Sequence, residues 1–105
     1  MYAELGGTLK LTPGSPPGDG SITWKLKSNK VVEYDKNFHP TIEVYGRFKN
    51  RTTLNSLTGG LEMTDLTKED KGVYTMEVNS ELKATYDVVD VISKCTCAYY
   101  IIAQC

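Results

Sequence analysis

The chain has 105 residues, 40% hydrophobic and 24% charged, which suits a single globular domain near the commonest domain size and excludes a multidomain machine. Twelve basic residues against thirteen acidic ones leave a formal charge of -1, so no long-range field draws the protein toward nucleic acid or anionic lipid. All three cysteines, Cys95, Cys97 and Cys105, lie near the end of the chain, so the preceding residues must fold without a disulfide.

Val, Ile, Thr and the aromatic residues make up a third of the chain, and no long window carries an amphipathic helical period free of Gly or Pro. The composition is that of an all-β protein. Taken in order, nine strands are predicted over residues 2–5, 8–12, 21–27, 30–35, 42–45, 51–54, 60–64, 72–79 and 82–91, separated by turn signals. Nine short strands imply a sandwich or a barrel. The Pro- and Gly-rich segment 13–20 reads as a loop between two strands, and nothing repeats internally.

Alternation is clearest where Ile22, Trp24 and Leu26 share one face and Thr23, Lys25 and Lys27 the other. The same period places Leu9, Leu11, Leu61, Met63, Tyr74, Met76 and Val78 in one core around Trp24. The charged stretch 66–72 suits a single helical turn across the end of the sandwich. Adjacent Val88 and Val89 break strict alternation and predict a bulge in the last strand. That strand is expected to end near Val91 or Ile92, which divides the chain into a domain over 1–92 and a C-terminal appendage over 93–105.

Catalytic chemistry finds little support. The one histidine, His39, lies between Phe38 and Pro40 and reads as a loop residue. No phosphate-binding glycine loop, dinucleotide fingerprint or HExxH motif occurs. The three cysteines fall short of a closed four-ligand zinc site and lack CxxC spacing, so neither metal nor cofactor is expected. The longest apolar run, 98–103, is too short to span a bilayer, and Met1, directly before the first strand, reads as a start placed on a mature fragment.

The segment Asp70-Lys-Gly72-Val-Tyr74 resembles the D-x-G-x-Y that opens the sixth strand of immunoglobulin variable-type domains, with Trp24 as the third-strand tryptophan. The resemblance implies a V-set β-sandwich in which Tyr74 makes the tyrosine corner and Arg51 pairs with Asp70. It departs from that pattern where the inter-sheet cysteines belong: Met76 stands two residues after Tyr74, and the second strand offers Leu11 or Pro13. The disulfide, which in a loop of that span would contribute about 4 kcal/mol in the chain-entropy model, is therefore absent.

Segments 22–25, 30–35, 47–51, 59–61 and 66–77 resemble the N-terminal domains of the signalling lymphocytic activation molecule (SLAM) and T-cell erythrocyte-receptor adhesion family, most closely its ligand-type members. Similarity runs over residues 2 to about 92. A muscle-type intracellular immunoglobulin module also lacks the disulfide, but has no counterpart to residues 30–45. The resemblance implies an extracellular or cell-surface recognition domain that binds a partner immunoglobulin domain weakly through its charged front sheet. It implies partner-binding residues Lys25, Lys27, Lys30, Glu33, Asp35, Lys36, Thr75, Glu77, Glu81 and Lys83, with Thr85 and Asp87 also outward. Counting charges only, Lys25, Lys27, Lys30, Lys36 and Lys83 face Glu33, Asp35, Glu77, Glu81 and Asp87, five of each sign. Trp24, Arg51, Asp70, Gly72 and Tyr74 are the expected structural residues, and Asn50-Arg51-Thr52 is the single glycosylation sequon. Heterophilic binding, homophilic pairing of two such faces, and a soluble decoy of such a ligand are the competing functional readings.

Overall fold

In the computed structural model, the structure describes residues 1–14, 20–35 and 39–93. Ten strands are present among them: β1 (Tyr2–Glu4), β2 (Leu9–Leu11), β3 (Ile22–Leu26), β4 (Asn29–Asp35), β5 (His39–Val44), β6 (Thr52–Leu54), β7 (Leu61–Met63), β8 (Gly72–Val78), β9 (Glu81–Val88) and β10 (Asp90–Ile92). A five-stranded antiparallel sheet in the order β5-β4-β3-β8-β9 forms the front, and a three-stranded sheet, β2-β7-β6, forms the back. Short β1 pairs in parallel with β10. The predicted nine strands become ten because Val89 interrupts the last one, at the site where two consecutive valines signalled a bulge.

The core follows the sequence alternation. Ile22, Trp24 and Leu26 are buried from β3; Tyr74, Met76 and Val78 from β8; Leu9, Leu11, Leu61 and Met63 from the back sheet. No cysteine lies in either sheet, so the space between them is closed by packing alone. Leu11 and Met76, where the sequence lacked cysteines, are both about 1% exposed. Two hydrogen bonds tie separate parts of the sandwich: Trp24 Nε1 donates to the Gly59 carbonyl at 2.9 Å, and the Tyr86 hydroxyl donates to the Thr12 carbonyl at 2.9 Å. The Trp24 and Tyr86 rings stack with centroids 5.8 Å apart.

The helical turn expected over 66–72 is a 3-10 turn at Lys68–Asp70. Its capping box explains why it forms there: the Thr67 hydroxyl meets the Asp70 backbone while the Asp70 carboxylate takes the Thr67 N–H at 2.8 Å. A second 3-10 turn, Gly46–Phe48, follows β5 and buries Phe48. Tyr74 makes the corner predicted for it, its hydroxyl donating to the Asp70 carbonyl at 2.5 Å. Gly72 is required there, because its φ of +133° is unfavourable for other residues and a Cβ would lie 2.9 Å from the Lys27 side chain.

Candidate functional site: the front sheet

Register determines what the front sheet shows to solvent. Thr23 of β3 lies opposite Glu33 of β4 on one side and Glu77 of β8 on the other, and Glu33 lies opposite Glu43 of β5. These residues share a face, so Glu77, Thr23, Glu33 and Glu43 form one row across four strands. Lys25 lies opposite Lys30 and Thr75, and Thr75 opposite Thr85, which makes the next row on that face. The outer surface thus carries a row of three carboxylates beside a row holding two ammonium groups.

A β-bulge creates this pattern. The β3–β4 ladder slips between Trp24 and Lys25, so Val31 is the extra residue and Val31 and Val32 are both buried. In an unbroken strand, residues three apart point to opposite faces. Here the bulge returns Lys30 to the face of Glu33, and their side chains meet at 3.2 Å. Lys25 reaches Glu77 at 3.4 Å, with both side chains about a third exposed or less.

Glu33 is the most connected of these groups. Its carboxylate accepts hydrogen bonds from the Tyr45 hydroxyl at 2.8 Å, Thr23 at 3.1 Å and Lys30. Partial burial works against its charge, but the bonds from Tyr45, Lys30 and Thr23 outweigh it and hold the carboxyl below its ordinary range. The same bond, with burial and the neighbouring Glu33 and Glu43 charges, pushes the Tyr45 phenol up to about 12. These donors offset the repulsion of Glu33 and Glu43, which stand directly opposite each other.

Several expected positions are placed differently by the structure. Lys27 lies beyond β3 in a turn with φ of 59°, so strand alternation does not extend to it; its side chain covers Gly72 at the sheet's end. The β8–β9 ladder slips between Met76 and Glu77, so Leu82, not Lys83, registers with Glu77, and Lys83 is the extra residue, paired with Glu81 at 2.7 Å. Leu82 is 58% exposed and adds an apolar group that alternation from the sequence had not assigned to this face. Asp35 continues the outward set of β4 and Asp87 that of β9. Lys36, Cys95, Cys97 and Cys105 lie outside the described residues. Tyr45 and Thr23 were missed as partners of Glu33; the two-residue step from Glu43 to Tyr45 was the available signal.

Below the sheet, Asp70 anchors the frame. Arg51 reaches it at 2.7 and 3.0 Å, as the resemblance implied, and Arg47 adds a second contact at 2.6 Å that the sequence reading had not assigned. Both guanidinium groups also lie over the Phe48 ring, at 4.5 and 5.6 Å. Burial opposes ionisation of Asp70, yet hydrogen bonds from Arg51, the Thr67 N–H and Arg47 leave its carboxyl below the ordinary value of 3.8. A carboxyl lowered by folding stabilises the fold fully above 3.8, and that contribution drains away as pH falls from there through the folded value. Urea unfolding between about pH 6 and about pH 2 is expected to show stability falling on the acid side, with a shallower fall in Asp70→Asn. Glu33 acts in the same direction in both proteins, so the difference between them isolates Asp70.

Among the described residues no group of three or more His, Cys, Asp or Glu side chains could hold a metal ion, and no helix is long and apolar enough to cross a membrane.

The paired sheets, the buried tryptophan, the tyrosine corner and the Arg51–Asp70 bridge define a variable-type immunoglobulin domain without the inter-sheet disulfide. The sequence matches no family model and no curated protein. Solved structures do match. The CD2-binding domain of CD58 (lymphocyte function-associated antigen 3) superposes with a TM-score of 0.73 at 22% identity over 88% of this chain, which spans only 52% of that one. The first immunoglobulin-like domain of human CD48 gives 0.73 at 22% identity, covering 99% of this chain and 89% of that one. The extracellular domain of the voltage-gated sodium channel β4 subunit, whose parallel homodimers explain a role in cell-cell adhesion, gives 0.67 at 18% identity over 97% and 91%. At these identities the likeness establishes the fold.

Proposed function

We propose that the chain is an extracellular recognition domain of the SLAM and T-cell erythrocyte-receptor type, binding a partner immunoglobulin domain through the outer face of β5-β4-β3-β8-β9. The observation that carries this reading is the ordered charge of that face, the Glu77/Glu33/Glu43 row beside the Lys25/Lys30 row. A partner with the opposite order can exchange each internal pair for an intermolecular one without leaving a charge unpaired. Such exchange favours fast, selective encounter, while desolvation of ions keeps net affinity low. Many weak contacts between two cell surfaces then add through multivalency. The similarity in fold to adhesion domains, one of them CD2-binding, supports a recognition role.

Surface plasmon resonance against immobilised V-type receptor ectodomains, CD2 among them, tests it. Lys25→Glu is expected to lower affinity for the bound receptor at least about tenfold, the loss of one close charge pair. Its effect on folding should stay under about 1 kcal/mol, because a partly exposed ion pair contributes little. Unchanged affinity for the receptor that binds the unmodified domain would contradict the assignment.

A homophilic reading follows from the same rows. Rotating a second copy by half a turn about an axis between them sets each acidic row over a basic one, the self-complementarity an isologous dimer needs. Sedimentation at high concentration decides it: a dimer weakened by added salt supports homophilic pairing, and a monomer at all concentrations supports a separate partner.

A further inference from the structure

The sequon Asn50-Arg51-Thr52 enters the back sheet at β6, and its three residues meet very different surroundings. Asn50 is exposed in a turn with φ of 68°. Arg51 is fastened: besides Asp70, its guanidinium donates to the carbonyls of Arg47 at 3.0 Å and Thr64 at 3.1 Å. Thr52 points inward opposite Met63, is 7% exposed, and its hydroxyl has no hydrogen-bond partner.

A buried hydroxyl without a partner destabilises, and valine would fill nearly the same space in a strand without that defect. The fold therefore gives no reason for threonine here. We infer that Thr52 is kept polar by its role in the sequon, and that Asn50 is glycosylated before β6 docks. The inference rests on the extracellular placement proposed above.

The modification itself is a group transfer. Asn50 Nδ2 bonds to C1 of the first sugar of a polyprenyl-diphosphate-linked oligosaccharide. The C1–O bond breaks, its electron pair leaves with the polyprenyl diphosphate, and Nδ2 gives up a proton to a transferase base. The transferase must grip the Asn amide and the Thr hydroxyl together. In the folded domain the hydroxyl is buried, and the neighbouring Arg51 is held in place by Asp70. Only the unfolded or nascent chain presents both groups.

The test uses the full chain. Expressed through a eukaryotic secretory pathway, it is expected to carry a glycosidase-sensitive mass increment that persists in Thr52→Ser and is lost in Asn50→Gln and Thr52→Val. Chain produced without sugar and folded is then offered, with purified oligosaccharyltransferase and its lipid-linked donor, beside Trp24→Ala chain that circular dichroism shows to be unfolded. The folded chain should accept less than about a tenth of the sugar the unfolded one does. Thr52→Val should raise the melting midpoint by about 4–8 °C. Equal modification of folded and unfolded chain, or a Thr52→Val midpoint at or below that of the unmodified sequence, would overturn the inference. Secretion of an unmodified chain would also overturn it, whereas failure to reach the secretory pathway at all would count against the extracellular placement instead.

Discussion

Trp24→Ala is expected to lose about 3–5 kcal/mol and to move the urea unfolding midpoint far downward. The indole is completely buried in the middle strand of the front sheet, in register with Val32 on one side and Met76 on the other. Truncation removes the largest fully buried side chain, ends the stacking with Tyr86, and strips the Gly59 carbonyl of its donor. Those losses fall on a core with no covalent link between its sheets, where a domain's whole margin is about 5–15 kcal/mol. Trp24→Phe separates the contributions: it keeps most apolar volume but orphans the carbonyl, and should lie between the two proteins. Urea titration followed by far-ultraviolet circular dichroism checks this, and an unshifted midpoint in Trp24→Ala would refute the packing account.

Asp70→Ala is the second large effect, again about 3–5 kcal/mol, because it leaves the guanidinium of Arg51 with only carbonyl partners in a largely buried site. The same substitution removes the carboxylate that caps the Lys68–Asp70 turn, from which the Tyr74 corner is hung. The two arginines are not equivalent. Arg51 is 13% exposed and Arg47 40%, so Arg51→Met should cost clearly more than Arg47→Met, whose site water can reach. Thermal unfolding of the three variants ranks them, and equal losses for the two arginine variants would contradict the burial argument.

What could be read from residues alone was whatever period two controls. Ile22, Trp24 and Leu26 turned inward as alternation required, while the corner at Tyr74 was legible only through the family resemblance that D-x-G-x-Y carries. The site was less legible because its layout depends on bulges. Paired valines signal a bulge: the chain is interrupted at Val88-Val89, and the same signal at Val31-Val32 brings Lys30 beside Glu33. The slip that puts Leu82 opposite Glu77 has no such mark, because it arises from pairing between strands. Arg47 could not be assigned to Asp70 from spacing, since a 3-10 turn between distant segments sets that contact.

Glu33 also has more to do in the fold than an outward position implies. It accepts from three side chains, so its reversal disturbs the sheet as well as its charge. Lys25 and Glu77 form a simpler pair, and exchanging them separates recognition from stability. The double variant Lys25→Glu/Glu77→Lys keeps the ion pair and net charge while inverting the order of charge at that pair, with Glu33, Glu43 and Lys30 left in place. Its affinity for the receptor that binds the unmodified domain, measured beside its unfolding midpoint, is the direct test. An unchanged midpoint with binding reduced at least about tenfold is expected; full binding by the folded double variant would show that the partner does not read this face.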